Sequence, residues 1–177
     1  MSIARAEVEQ QAAEHLPAVE NKISLIVFSG DLDKLLAALI LSTGAAASGM
    51  KARLFFTFWG TAALRDPKKA AQGKNFMSRM FGYMLPRGAK KVKLSKMNMG
   101  GMGTAMMKML MRQKRVASLD EMLTLAGQMD VEICICQMSM DLMGFKREEM
   151  IDYPNLKVCG VASFLAEAQS SRVQLFI

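Results

Sequence analysis

Short apolar runs alternate with helical segments along most of this chain, and that alternation constrains its fold more than any other feature. Residues 23–28 form one such run, which ends in Ser29, Gly30 and Asp31 and is followed by an apolar helical segment at 32–48. The pattern continues with strand-like runs at 52–58, 131–136, 156–159 and 173–177 and helical segments at 118–129, 139–144 and 161–169. A repeated strand-then-helix order predicts an α/β fold of three layers, in which helices cover both faces of a mostly parallel sheet.

The length of the chain suits one domain. Its 177 residues, with 51% hydrophobic and 22% charged residues, can bury a sizeable core and are typical of a globular protein. We therefore predict a single domain over residues 1–177 whose first 21 residues are polar and exposed. Ser118 and Glu121 have the spacing of a capping box, which predicts the start of the helix at 118–129.

One segment differs from the rest in charge and composition. Residues 65–115 hold 14 lysines and arginines against one acidic residue, Asp66, whereas the remainder of the chain has 9 basic and 15 acidic residues. Ten of the 18 methionines lie in the same segment. We interpret it as a basic, methionine-rich insertion, because long connections in compact domains are usually functional or disordered.

The scarcity of histidine and cysteine excludes several classes of site. His15 is the single histidine, so a Ser-His-Asp arrangement would depend on a residue in the polar start of the chain. Three cysteines are one short of an all-cysteine zinc or iron–sulfur site. The methionines can in principle bind Cu(I), but adaptable contact surface is their commoner use. We therefore predict no metal and no cofactor.

The cellular location is inferred from the cysteines and the apolar stretches. An odd number of cysteines without a secretory leader favours a reducing cytoplasm. The longest apolar stretch, residues 35–50, is shorter than the roughly 20 residues that a spanning helix needs. We predict a cytoplasmic protein with no transmembrane segment.

Cys136 is the candidate reactive residue, because catalytic groups in parallel α/β sheets collect at the carboxyl ends of strands. It closes the predicted strand 131–136 and precedes a helix predicted to begin near Ser139. A helix start favours the thiolate, the nucleophilic form of cysteine, although Asp141 in the first turn opposes this effect. The alternative is that Cys136 is a small buried apolar residue, as free cysteines often are.

The other two cysteines are weaker candidates. Cys134 shares a strand face with Cys136 at about 6.8 Å along the backbone, the upper limit for a disulfide, so packing is favoured for Cys134. Cys159 ends another predicted strand and lies close to Cys136 if the two strands are neighbours, which makes it a candidate second thiol. Gly30 at the first helix start belongs to no glycine-rich phosphate loop, and capping by Asp31 is the favoured role of that turn.

Residues 136–144, with the sequence CQMSMDLMG, resemble the cysteine motif of the DsrE/DsrF-like sulfurtransferases, in the methionine-rich branch of that family. Residues 23–34, the GMG run at 101–103, the helix from Ser118 and the ending 160–177 resemble the family in the same order. Only the Cys136 motif is specific, because the other matches are mainly signals of the fold.

This resemblance implies a flavodoxin-like α/β subunit, often assembled into homo-oligomers. It also implies that Cys136 accepts a sulfane sulfur as a persulfide and passes it to a small sulfur-carrier protein. Gln137 and Ser139 of the motif are then supporting residues. Such chemistry needs a nucleophilic thiolate and an accessible site, without a metal or a tightly bound organic cofactor.

Three alternatives remain open. A sulfur carrier or chaperone that binds a partner without turnover differs from the enzyme only in its kinetics, and a thiol peroxidase needs a peroxide-activating environment that the sequence does not identify. A non-catalytic adaptor would contact an anionic membrane or a nucleic acid. Few aromatic residues and no nucleic-acid module argue against nucleic acid, but weak membrane-surface contact remains open. The residues available for that contact are Phe76, Met77, Arg79, Met80, Phe81, Met84 and Arg87.

Overall fold

The computed structural model describes residues 18–70 and 76–177. Within these ranges the strands are β1 (Glu20–Val27), β2 (Lys51–Phe56), β3 (Glu132–Cys136), β4 (Leu156–Cys159) and β5 (Ser171–Phe176). The helices are α1 (Leu32–Ala47), α2 (Trp59–Ala63), α3 (Phe76–Met84), α4 (Met102–Gln113), α5 (Leu119–Gln128), α6 (Gln137–Met143) and α7 (Val161–Ala168). Short 3-10 turns span Ala89–Lys91, Met99–Gly101 and Arg147–Glu149. Most of the predicted polar start, residues 1–17, lies outside the described residues.

The five strands form one sheet in the order β4-β3-β2-β1-β5, and every neighbouring pair is parallel. The predicted α/β fold with a parallel sheet is therefore confirmed. Because all five strands run in the same direction, their carboxyl ends meet at a single edge of the sheet. Any residue that ends a strand is brought to that edge, whatever its distance along the chain.

The larger part of the core lies between the sheet and helices α1 and α5. Leu25, Leu54 and Ile133 occupy matching register positions on β1, β2 and β3, and all three are fully buried. They pack in one apolar cluster with residues of the covering helices that include Leu39 of α1 and Ala126 of α5. Since burial of a leucine side chain is worth about 1.5–3 kcal/mol, this face supplies most of the packing energy of the domain.

The opposite face of the sheet is covered by α7 and carries a smaller cluster. Its buried members are Phe55, Cys134, Cys136, Phe164 and Ala168. Only Phe164 and Ala168 of α7 are buried, and the other six residues of this helix are exposed. Helices thus lie on both faces, as predicted, but the cover over the cysteine-bearing face is thin.

The two predicted helix starts differ in outcome. At α5, Ser118 Oγ accepts from the backbone N–H of Glu121, and the Ser118 N–H donates to the Glu121 carboxylate, so the predicted capping box is confirmed. At α1, Asp31 occupies the cap position without a side-chain hydrogen bond to the backbone of the first turn, and its carboxylate instead accepts from the Ser29 hydroxyl at 2.7 Å and pairs with Lys34 at 3.6 Å. A Cβ at Gly30 would lie 2.6 Å from the Trp59 carbonyl oxygen, so this glycine permits close approach of two turns.

The basic segment 65–115 is joined to the core at its beginning. Arg65 is almost completely buried; its guanidinium lies 4.5 Å from the centre of the Phe145 ring and donates to the Gly82 carbonyl oxygen of α3 at 3.1 Å. Burial lowers the pKa of the Arg65 guanidinium, and the charge of the nearby Glu149 carboxylate acts in the opposite direction. A buried cation therefore holds α3 in place.

The middle of the same segment lies at the carboxyl end of the sheet. Ala89 and Val92 are buried in the main core, and the Lys93 carbonyl oxygen accepts from the Leu32 N–H at 2.8 Å, at the start of α1. The Asp33 carboxylate accepts from the N–H and the hydroxyl of Ser95.

No helix in residues 18–70 and 76–177 is both long and apolar enough to cross a membrane.

Candidate functional site

Cys136 is the last residue of β3 and occupies the cap position of α6, which begins at Gln137. The predicted position at the carboxyl end of a parallel strand is therefore confirmed, although the helix begins two residues earlier than predicted. Cys136 is a free thiol with none of its surface exposed. Its neighbours on the sheet face are apolar, so the thiol lies in a dry environment beneath α7.

Cys134 and Cys159 are joined by a disulfide, with their Cα atoms 6.1 Å apart. Packing as the sole role of Cys134 was the favoured expectation, and it is corrected here: Cys134 is buried, but it is also covalently linked. The cause lies in the sheet, where β3 and β4 are parallel neighbours and Cys159 is the register partner of Cys136. Cys159 thus lies across from Cys136 and diagonal to Cys134, two residues that share one strand face.

An aromatic pair forms part of the apolar cover of the three cysteines. The rings of Phe55 on β2 and Phe164 on α7 are stacked with their centres 4.5 Å apart. Both side chains are buried in the same cluster as Cys134 and Cys136, and Cys159 is only partly buried at its margin. A molecule that is to reach Cys136 must therefore displace α7 or the turn at the start of α6.

Ser139 ties the turn after β3 to the turn after β2. Its hydroxyl is fully buried, forms a 2.8 Å hydrogen bond with the Thr57 hydroxyl, and accepts from the Phe58 N–H at 3.0 Å. Phe58 has a φ of 43°, a left-handed conformation that costs a bulky residue about 1–3 kcal/mol. Ser139 helps to hold this strained residue next to the cysteine-bearing turn.

We expect Ser139→Ala to lower the free energy of unfolding by about 1–3 kcal/mol, because the Thr57 hydroxyl and the Phe58 N–H lose a buried partner. Urea denaturation followed by circular dichroism measures the change. Ser48→Ala is the matched control, since the Ser48 hydroxyl donates to an exposed backbone carbonyl of the preceding helix and the loss of that bond should cost much less. Equal losses in the two variants would contradict the role given to Ser139.

Gln137 is exposed and is not placed to contact a sulfur atom on the buried Cys136. Its side chain is exposed, and its amide donates to the Asp141 carboxylate at 2.8 Å. Asp141 is the fifth residue of α6 and so lies outside the first turn, where it was predicted. The structure therefore pairs Cys159 with Cys136 in the sheet, buries Ser139 against the turn after β2 and leaves Gln137 exposed.

Aromatic side chains lie near the same edge of the sheet. The ring of Phe28, just after β1, lies 5.2 Å from that of Phe58 and 5.8 Å from that of Phe176 at the end of β5. Phe176 and Trp59 are substantially exposed. Thr57, Phe58 and this group were not singled out from the sequence, and the available signal was that each lies in the last two positions of a predicted strand or directly follows one.

The ligands required for a metal site do not come together in the described part of the chain. Residues 18–70 and 76–177 contain no group of three His, Cys, Asp or Glu side chains placed to hold a metal ion. His15, on which a Ser-His-Asp arrangement would depend, lies outside the described residues.

Comparison with known proteins connects this geometry to a family. The model of the DsrE/DsrF/DrsH-like family matches residues 19–176. The chain is 42% identical to the uncharacterized protein YrkE of Bacillus subtilis (strain 168) over 157 residues, which are 89% of this chain and 97% of that protein. It is 34% identical over 162 residues to the sulfur carrier protein DsrE2 of Allochromatium vinosum, covering 89% of this chain and 99% of that one.

A solved structure supports the fold. The ychN protein of E. coli superposes with a TM-score of 0.51, covering 88% of this chain and 98% of that chain at 13% sequence identity. At this identity the likeness shows the fold alone. The methionine-rich branch stays a prediction, since none of these comparisons is specific to it.

Proposed function

Because the chain belongs to the DsrE/DsrF/DrsH-like family, we propose that it is a sulfur-trafficking protein that takes up sulfane sulfur as a persulfide on Cys136 and passes it to a small carrier protein. The free thiol of Cys136 at the carboxyl end of β3 is the observation that supports this most directly. The name of the Allochromatium vinosum relative, a sulfur carrier, agrees with the proposal.

The proposed chemistry is transfer of a neutral sulfur atom without net oxidation. The Cys136 thiolate attacks the outer sulfur of a donor such as thiosulfate, an S–S bond forms, and the donor's own S–S bond breaks so that sulfite leaves with the electron pair. A thiolate of the carrier protein then attacks the outer sulfur of the persulfide, and the Cys136 thiolate leaves. Neither step needs a metal or an organic cofactor.

Burial of Cys136 makes access part of this proposal. A thiolate reacts only when a donor can reach it, and none of the Cys136 surface is exposed. The thinly packed α7, which buries two of its eight residues, is the part of the cover that we expect to open. Loading of Cys136 should therefore be slower than reaction of an exposed thiol and should accelerate when α7 is loosened.

Cys159 is the proposed second thiol, shared between two partners. Its Cα lies 6.1 Å from that of Cys134, and Cys136 is its register partner on a strand about 4.8 Å away, so both pairs fall within the range that disulfides span. The Cys136 thiolate can attack the Cys159 sulfur, form a Cys136–Cys159 bond and release Cys134 as the thiolate. In the cytoplasm, the proposed location, a disulfide is usually transient in this way.

We expect Cys134→Ser to place Cys159 in a disulfide with Cys136. Tryptic digestion under non-reducing conditions, followed by mass spectrometry, should find the peptide carrying Cys136 linked to the peptide carrying Cys159. Cys159→Ser is the control and should show neither link. Free Cys136 and Cys159 thiols in oxidised Cys134→Ser would exclude exchange between them.

Two partners belong to the proposal. Homo-oligomers are implied by the family resemblance. An acidic carrier protein would be attracted by the basic segment 65–115, so sulfur transfer should be sensitive to salt.

A second candidate function is a non-catalytic adaptor. One observation favours it, the exposed apolar side chains of α3 and α4.

The test of the proposed function is sulfur loading followed by release. The reduced protein is exposed to thiosulfate or polysulfide, freed of donor, and weighed by intact-mass spectrometry, where each bound sulfur adds about 32 Da. A small thiol acceptor should then remove the added mass. Absence of an adduct with every donor class would reject the proposal and leave a folded binding protein.

A further inference from the structure

Helix α3 presents one exposed apolar stripe. Phe76, Met80, Tyr83 and Met84 follow the spacing i, i+4, i+7 and i+8, which places them on a single face of the helix. Each is exposed, from 39% for Met80 to 92% for Tyr83. A face of this kind in a packed domain would normally be covered.

Helix α4 repeats the arrangement. Met102, Met106, Met109 and Leu110 have the same i, i+4, i+7 and i+8 spacing, and their exposed fractions run from 41% to 64%. In α4 the buried residues are Gly103 and Thr104. We call these eight side chains of α3 and α4 the paired stripes.

The paired stripes are left to solvent by the rest of the described chain. Single exposed apolar residues are normal on proteins, but groups of them usually mark a contact surface. Methionine suits such a surface because its unbranched side chain adapts to varied neighbours. Each of the two stripes therefore has the character of a docking surface.

The segment that carries the paired stripes has a large excess of positive charge, although Asp120 of α5 pairs with Lys90 at 3.6 Å and the Asp33 carboxylate accepts from Ser95. Residues 65–115 carry 14 basic side chains and one acid, Asp66, whose carboxylate accepts from the Lys68 N–H. Lys91, Lys93 and Lys96 are exposed between the two helices in sequence. A second copy docked face to face would bring two such basic surfaces together, and like charges disfavour that pairing.

We propose that the paired stripes bind the surface of an anionic membrane. The apolar side chains would enter the boundary between headgroups and acyl chains, and the lysines and arginines would contact the anionic headgroups. Neither helix spans the bilayer; both lie on it. The proposal is independent of sulfur chemistry.

As the partner of the exposed apolar stripes themselves, lipid is favoured over an acidic protein by the large positive excess of the segment, 14 basic residues against one acid. Protein partners are selected by a pattern of charges and by shape, whereas a lipid surface is a mobile layer of negative charge that needs no register. A segment of 51 residues with a single acid suits a lipid surface, which needs positive charge but no particular register. Aromatic Phe76 and Tyr83 within the α3 stripe suit the membrane interface.

The experiment is co-sedimentation of the full chain with large unilamellar vesicles. Vesicles of equal parts phosphatidylcholine and phosphatidylglycerol are compared with vesicles of phosphatidylcholine alone. We expect the protein to bind the anionic vesicles only. Added salt should release the protein from them, because it shortens the electrostatic screening length below about 10 Å. Cys136→Ser should bind equally well, which separates this result from the fate of the proposed function.

Two sets of variants test the two halves of the surface, and each has a control of the same size elsewhere on the protein. The charge variant is Lys91→Gln, Lys93→Gln and Lys96→Gln, and its control is Lys51→Gln, Lys157→Gln and Arg172→Gln. The stripe variant is Tyr83→Gln, Met84→Gln and Met106→Gln, and its control is Ile40→Gln, Leu41→Gln and Leu125→Gln. All twelve side chains are exposed, so the fold should tolerate their replacement.

The expected outcome is that the charge and stripe variants each bind anionic vesicles at least roughly tenfold more weakly than their controls. Equal weakening in the charge variant and its control would show attraction by net charge alone and would overturn the proposal. So would binding that survives the stripe variant, or equal binding to the uncharged vesicles. Saturable binding of an acidic protein such as calmodulin without binding to vesicles would assign the paired stripes to a protein partner instead.

Discussion

We expect Cys136→Ser to abolish stoichiometric sulfur loading. The wild-type chain, reduced and then exposed to a sulfane-sulfur donor, should gain about 32 Da, the mass of one sulfur atom, and the variant should gain none. The reason is chemical, since a serine hydroxyl stays protonated where a cysteine forms a thiolate, and the alkoxide is far less accessible. Serine occupies nearly the same volume as cysteine, so the buried site should remain folded.

The other two cysteines provide the controls for this prediction. Cys159→Ser leaves Cys136 without a disulfide partner across the strands, so it should load sulfur whether or not the sample is first reduced. Cys134→Ser should load only after reduction, because its oxidised form holds Cys136 in a disulfide with Cys159. Loading that persists in Cys136→Ser and disappears in Cys159→Ser would move the persulfide site to the other strand.

The helices and strands could be predicted from the sequence because each depends on a local pattern of residues. Ser118 and Glu121 mark the start of α5 through a spacing that the backbone itself requires, and the capping box is present as predicted. The parallel sheet follows from the order of strands and helices. Asp31 shows the limit of the approach: its carboxylate accepts from the Ser29 hydroxyl and pairs with Lys34 instead of capping the first turn, and no sequence rule distinguishes these outcomes.

The site was only partly accessible, because its contacts join distant parts of the chain. Cys136 was identified from its place at the end of a predicted strand, which needs no tertiary information. The link from Cys134 to Cys159 depends on which strands are neighbours and on their register, and the sequence contains neither. The bonds of Ser139 to Thr57 and Phe58 span more than 80 residues and were missed for the same reason.

The burial of Arg65 was likewise beyond sequence reasoning. Arginine in a basic segment is ordinarily a solvated surface residue, and nothing in its immediate neighbours marks it as different. In the structure it leaves the basic surface, enters the core beside the Phe145 ring and donates to the Gly82 carbonyl oxygen. It thereby connects the insertion to the turn that follows α6.

We expect Arg65→Met to lower the free energy of unfolding by about 3–5 kcal/mol. Methionine fills much of the same volume but removes the positive charge that interacts favourably with the buried Glu149 carboxylate, and leaving a buried charge uncompensated costs about this much. The hydrogen bond to the Gly82 carbonyl oxygen is lost as well, so α3 should loosen. Urea denaturation measures the first effect and amide hydrogen exchange within α3 the second.

Two further variants separate the buried pair from the general effect of losing an arginine. Arg112→Met removes an exposed arginine of the same segment and should change the free energy of unfolding by less than about 0.5 kcal/mol. Arg65→Met combined with Glu149→Gln removes both charges and should recover a large part of the loss, since the carboxylate no longer has to stay charged without the guanidinium. If the double variant is no more stable than Arg65→Met alone, the charge of Glu149 is not what makes Arg65 necessary, and the cause is the packing of Arg65 against Phe145.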